Sequence, residues 1–119
     1  MPSRSERDDR TNLLQGTLDL LILRTLVLGP QHGQGIAGLI QQQSEDVFLV
    51  DHGSLYLCLQ RLEDKGWVSA KWGVSLNNRK ARFYTLTAKG RNQLTDKTAQ
   101  WHRIAGAMAR ILGAEESEA

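Results

Sequence analysis

A single cysteine, Cys58, excludes any disulfide within the chain, so packing alone must hold the fold. That thiol economy fits a reducing compartment. Long apolar runs are also missing. The most hydrophobic stretch, residues 13–28, is broken by Asp19 and Arg24 and is too short and too charged to span a bilayer. No charged and then apolar leader precedes a small-residue cleavage site, so no secretory signal is expected. The expected location is cytoplasmic, with no membrane partner. Only two prolines appear, and neither an internal repeat nor a low-complexity linker interrupts the chain.

Chemistry-bearing clusters are equally scarce. His32, His52 and His102 lack metal-ligand spacing. "GPQHGQG" (29–35) is glycine-rich, but no Lys-Ser/Thr follows to finish a phosphate loop, and it reads as a turn. Asp19, Glu63 and Asp64 make no paired-carboxylate arrangement. Cys58 falls on the inward face of its helix, which suits a small core residue better than a Cys/His nucleophile. No enzyme activity, cofactor or metal is expected.

What is present is an ordinary globular composition. The 119 residues are 40% hydrophobic and 24% charged, enough for one domain with a modest core. Net charge is only +2, but it is unevenly placed. Residues 1–60 hold four Lys/Arg against seven Asp/Glu, a balance of −3; residues 61–91 hold eight against two, or +6; residues 92–119 hold three against four, or −1. A local concentration of this kind either forms a solvated basic face or attracts a polyanion.

Periodicity gives the element order. Residues 13–28 are apolar nearly all round, as in a central buried helix, and Gly29-Pro30 ends it with a left-handed cap and a residue that cannot continue. A short second helix follows from "HGQGIAGLIQQQS", with Ile36, Ala37, Leu39 and Ile40 on one side. Asp51 is the expected N-cap of a third helix closed by Gly66, with Leu55, Cys58, Leu59 and Leu62 inward. Gly53, Leu57 and Gln60 face outward, flanked by Ser54, Tyr56 and Arg61. From Trp67 the period changes to two. "WVSAKWG" and "RFYTLT" read as strands of a hairpin around Asn77-Asn78, and Trp67 and Trp72 read as packing or strand-pairing residues. Thr87 opens a last, long helix whose Leu94, Trp101, Ile104, Ala105, Met108, Ile111 and Leu112 fall near helical spacing.

Three compact helices and a hairpin describe a winged helix-turn-helix. The third helix is then expected in the major groove, and the hairpin on the sugar-phosphate backbone. Ser54, Tyr56, Gln60 and Arg61 are its candidate DNA residues on the helix, and Asn78, Arg79, Lys80 and Arg82 on the wing.

The chain resembles the PadR family of bacterial transcriptional regulators from about Leu14 to Leu112. The resemblance rests on "GTLDLLIL" (16–23), "HGxGIA" (32–37), "GSLYxxLxRLExKGW" (53–67), "NNRKARFYxLTAKGRxQL" (77–94) and Trp101. It implies a homodimeric DNA-binding repressor whose last helix supplies most of the dimer interface. It also implies DNA contacts at Ser54 and Tyr56 and a wing contact at Asn78, Arg79 and Lys80. Two positions depart from the family pattern. Tyr56-Leu57-Cys58-Leu59 stands where Tyr-Pro-Ala-Leu is usual, and Gln34 where an aromatic is usual. Some relatives bind planar hydrophobic compounds between dimer halves, so Trp101 has two readings, dimer-seam residue or part of a site for a small apolar effector.

The expected architecture is therefore mostly α with a small β-hairpin. Residues 1–12 are a tail, 13–86 a winged helix-turn-helix, 87–113 a C-terminal dimerisation helix, and 114–119 an acidic tail. The expected function is sequence-specific transcriptional regulation by a homodimer on double-stranded, pseudo-palindromic DNA. The competing reading is a winged-helix adaptor without specific DNA binding. It leaves unexplained the five cations and no acids between Arg79 and Arg91.

Overall fold

The computed structural model of the chain describes residues 17–113. The two expected tails and residues 13–16 of the expected first helix lie outside the described residues. Helix α1 covers residues 17–25 and tightens into a 3-10 turn at Leu26–Leu28. The Thr25 hydroxyl donates to the Ile22 carbonyl at 2.8 Å, a local bond that competes with the helical ladder where α1 changes pitch. Gly29 ends the turn at φ 142 and ψ −179. This corrects the expected left-handed cap: the conformation is extended with positive φ, a region open essentially to glycine alone.

Strand β1 (Gln31–His32) comes next and runs directly into helix α2 (Gly33–Gln43). This strand overturns the reading of "GPQHGQG" as a turn. Gln31 pairs with Tyr84 and His32 with Phe83, so the expected hairpin is one part of a three-stranded antiparallel sheet. The other strands are β2 (Val68–Val74) and β3 (Lys80–Leu86), in the spatial order β1-β3-β2.

Helix α3 (His52–Asp64) starts where its cap predicts, with the Asp51 carboxylate accepting from the Ser54 N–H at 2.9 Å. It stops in a paired bond motif: Gly66 N–H donates to the Glu63 carbonyl at 2.9 Å and Trp67 N–H to that of Leu62 at 3.0 Å. These two bonds satisfy carbonyls that the helix end leaves free. Helix α4 (Ala88–Leu112) is capped by Thr87, whose hydroxyl accepts from the Gly90 N–H at 3.0 Å and reaches the Gly66 carbonyl at 2.7 Å. One threonine thus joins the start of α4 to the end of α3.

The core gathers the inward faces of all of these elements. Leu18, Ile22, Leu23 and Leu26 from the first helix and its turn meet Ile36 and Ile40 of α2, Leu55, Leu59 and Leu62 of α3, and Val68, Tyr84 and Leu86 of the sheet. Burial of each large aliphatic side chain contributes roughly 1.5–3 kcal/mol. Among the described residues, no buried side-chain nitrogen or oxygen lacks a hydrogen-bond partner. No described helix is long and apolar enough to cross a membrane.

Candidate nucleic-acid interface

Alternation along β2 and β3 sets the wing. The ladder pairs Trp72 with Arg82, Gly73 with Ala81 and Val74 with Lys80. Residues 75–79 close it, with Ser75 N–H donating to the Arg79 carbonyl at 2.8 Å and Asn78 N–H to that of Ser75 at 2.9 Å. Asn78 takes φ 60, a left-handed conformation that asparagine tolerates in turns. The sharp tip places Asn77, Asn78 and Arg79 in solvent and puts Lys80 and Arg82 on the returning strand.

Between this wing and the starts of α2 and α3 runs a cleft of about 710 Å³. Its walls include His32 and Gly33 at the start of α2, His52 and Tyr56 on α3, and Trp72, Arg79, Lys80 and Arg82 on the wing. Helix N-termini carry partial positive charge and free N–H groups. His32 Nδ1 and the Asp51 carboxylate each take one N–H of their helix, and Glu63 holds Arg82. The other N–H groups of the two ends, beside Arg79 and Lys80, are left as a surface suited to phosphate. Tyr56, 46% exposed, leans on Gly33; a Cβ there would come within 2.5 Å of the phenol oxygen, so only glycine admits this contact.

Each expected helix residue has a definite place. Ser54 is half-buried, and its N–H is taken by Asp51. That bond, the largest cause, holds the Asp51 carboxyl below its ordinary value. Gln60 is exposed and lines a second hollow, of about 550 Å³, with Tyr56, Glu63, Asp64 and Arg82. Arg61 is not free: its Nη2 donates to Asp19 Oδ1 of α1 at 2.8 Å. Cys58 donates to the same oxygen at 2.6 Å. Burial first, and the bond to Asp19 second, push the Cys58 thiol up to about 12. Asp19, Cys58 and Arg61 thus lock α3 against α1 in rotation.

On the wing, Asn78 and Arg79 occupy the tip, and Lys80 lies over the Trp72 ring, 5.4 Å from its centroid. Arg82 reaches back to α3 and bonds Glu63 Oε2 at 2.8 Å. The expected cluster is therefore divided. Arg79 and Lys80 project without an acidic partner among the described residues, whereas Arg61 and Arg82 are each held by a carboxylate.

Sequence reasoning missed His32, His52, Trp72 and Tyr84 as cleft walls. Two signals could have found some of them. His52 and Tyr56 stand four residues apart and so share a helix face. Counting outward from Asn77 alone, as the centre of the turn, sets Trp72 opposite Arg82. His32 and Tyr84 carry no such signal, because the β1–β3 pairing alone brings them together.

Helix α4 divides at Leu94. Its buried residues are Gly90 and Leu94, and Leu94 belongs to the protomer's own core. This corrects the expected stripe: Leu94 is taken, and the unpartnered part runs through Trp101, Ile104, Ala105, Met108, Ile111 and Leu112. Trp101 is 47% exposed and meets the edge of His102, with ring centroids 5.3 Å apart.

Three helices, a three-stranded sheet ending in a cationic wing, and an outer long helix define a winged helix-turn-helix of the transcription-regulator class. Within that class, residues 22–96 match the transcriptional regulator PadR-like family, and the chain belongs to it. Among solved structures, it is similar to a PadR family transcription regulator from Clostridium difficile, with 28% identity, TM-score 0.70, and 82% of this chain and 99% of the other covered. A transcriptional regulator from Clostridium thermocellum superposes with TM-score 0.78 at 20% identity, over 86% and 99% of the two chains. PadR of Bacillus subtilis, solved in complex with operator DNA, matches with TM-score 0.62 at 24% identity, over 69% of this chain and 46% of that one.

Proposed function

We propose that the protein is a homodimeric repressor that binds a pseudo-palindromic operator. The observation that carries this reading is the cleft in which two helix starts and the wing cations converge. A phosphate strand seated there lays α3 in the adjacent major groove. Gln60 then reads a base edge, Ser54 and Tyr56 meet phosphate or sugar, and Asn78, Arg79 and Lys80 grip the flanking backbone. Arg61 and Arg82 act mainly by fixing α3 and the wing in register. The operator complex of the Bacillus subtilis relative supports a DNA partner.

The second half of the proposal rests on α4. A stripe of this length and apolarity on so small a protomer is a pairing surface. Two stripes joined about a two-fold axis set the two α3 helices apart by a fixed distance. Half-site centres are then about 10 bp apart, or a multiple of that. Trp101 belongs to this seam. Occupation of such an operator blocks access to it, which is the simplest route to repression.

Retention of sheared genomic DNA, sequenced after washing, tests the first half. Recurrent sites with two-fold symmetry are expected, and a protein retaining no duplex overturns it. Removal of residues 95–119 tests the second. The cut spares Leu94 and the core, so the remainder is expected to sediment as a monomer with affinity lower by orders of magnitude. A folded monomer keeping full-length affinity refutes the dimer role of α4.

A further inference from the structure

Phosphate contacts leave part of the wing unexplained. Trp72, Val74 and Leu76 recur at every second residue along β2 and into the turn, and this alternation sets Trp72 and Val74 on one face of the strand. Trp72 is 61% exposed, Val74 65%, and Leu76 is fully exposed. A lone surface leucine is unremarkable. Three exposed apolar side chains in alternation, with Lys80 over the Trp72 ring, make an apolar edge that ends at the outermost turn of the hairpin. The turn holds that edge outward, because the bonds between Ser75 and Arg79 and from Asn78 to Ser75 close it on either side of Leu76.

Charge decides what the edge meets. Cross-strand from Trp72 and Val74 stand Arg82 and Lys80, and Arg79 follows the tip. From Arg79 to Arg91 the chain has five cations and no acid. An apolar ridge bordered by cations matches one feature of a duplex: the minor groove, where sugars and base steps lie between two rows of phosphates. Resting on the DNA-binding reading above, we infer that Leu76 is a wedge. It enters the minor groove next to the half-site read by α3 and partly unstacks one base step. Arg79 and Lys80 hold the phosphates on either side, and Val74 lies along the sugars. Apolar wedges of this kind kink the duplex toward the major groove. Flexible pyrimidine–purine steps yield most easily, so the wing selects sequence by deformability and not by hydrogen bonds.

The test uses the full chain and a duplex selected by the wild-type protein from a random library, with 2-aminopurine substituted at successive positions. Leu76 lies outside the core, so Leu76→Ser leaves folding intact, which thermal melting checks. Wild type is expected to raise 2-aminopurine fluorescence at one step per half-site. Leu76→Ser is expected to abolish that rise and to weaken binding about 10- to 100-fold per half-site, the range for burying one leucine side chain. Its log-log salt slope should stay unchanged, because every phosphate remains neutralised as before. Wild-type binding with no fluorescence rise, or a Leu76→Ser protein that binds and unstacks like wild type, overturns the wedge and leaves the DNA-binding reading standing. A change in sedimentation on Leu76→Ser with DNA affinity intact assigns the edge to a second copy of the chain and likewise overturns it. Failure of the wild type to bind any duplex rejects both.

Discussion

The wing's polar residues are unequal, and salt dependence exposes the difference. Arg79 and Lys80 have no carboxylate partner among the described residues, whereas Arg82 is bonded to Glu63 at 2.8 Å. Each phosphate neutralised contributes roughly 0.9 to the slope of log affinity against log salt. Replacing Arg79 and Lys80 with alanine removes two phosphate partners per protomer and four per dimer, flattening the slope by about 3.6. Between 50 and 200 mM salt, wild type should therefore lose about 150-fold more affinity than the double variant. Arg82→Ala should flatten the slope by less than about 0.9 per protomer, because its charge is already partly met. Glu63→Gln should do the opposite, freeing Arg82 and steepening the slope. The ion pair is partly exposed, where such pairs contribute roughly 0–1 kcal/mol, so its loss leaves the fold intact. Mobility-shift titrations at four or five salt concentrations measure all of these slopes. An unchanged slope in the Arg79/Lys80 double variant refutes the wing as a phosphate grip. If Arg82→Ala flattens the slope by the full 0.9 or so per protomer and Glu63→Gln does nothing, the bridge does not hold Arg82 back.

Gln60→Ala should relax base preference at one position per half-site at a cost of about 1–3 kcal/mol, read by selection from a randomised operator. Equal weakening on all sequences would place the reading face elsewhere on α3. Cys58, pushed up to about 12 from a usual 9.0, should react with a thiol reagent at pH 8 about 1,000-fold more slowly in the folded protein than in urea. The sign for stability follows from the same shift. The folded state keeps its proton longer, so the contribution is full below about pH 9 and lost as pH rises toward about 12. Fast labelling of the folded protein would contradict the burial of Cys58 between α1 and α3.

Much of the fold was legible in the chain because its signals are local. The inward faces of α2 and α3 follow from spacings of three and four, the caps at Asp51 and Thr87 from one side chain reaching its own helix, and the wing from a change of period to two. These depend on neighbours within a few residues, which the sequence states directly. The candidate site was legible in its elements and residue types but not in how its charges pair. Arg61 and Arg82 read as free cations until folding brought them to Asp19, 42 residues away, and Glu63, 19 residues away. The same holds for β1, whose two residues carry no strand signal and become a strand only because β3 offers an unpaired edge. Leu94 has the same periodicity as the stripe beyond it, yet the core takes it because α4 leaves the body one turn later. Helical spacing decides which residues share a face, and only the assembled tertiary structure decides what that face meets.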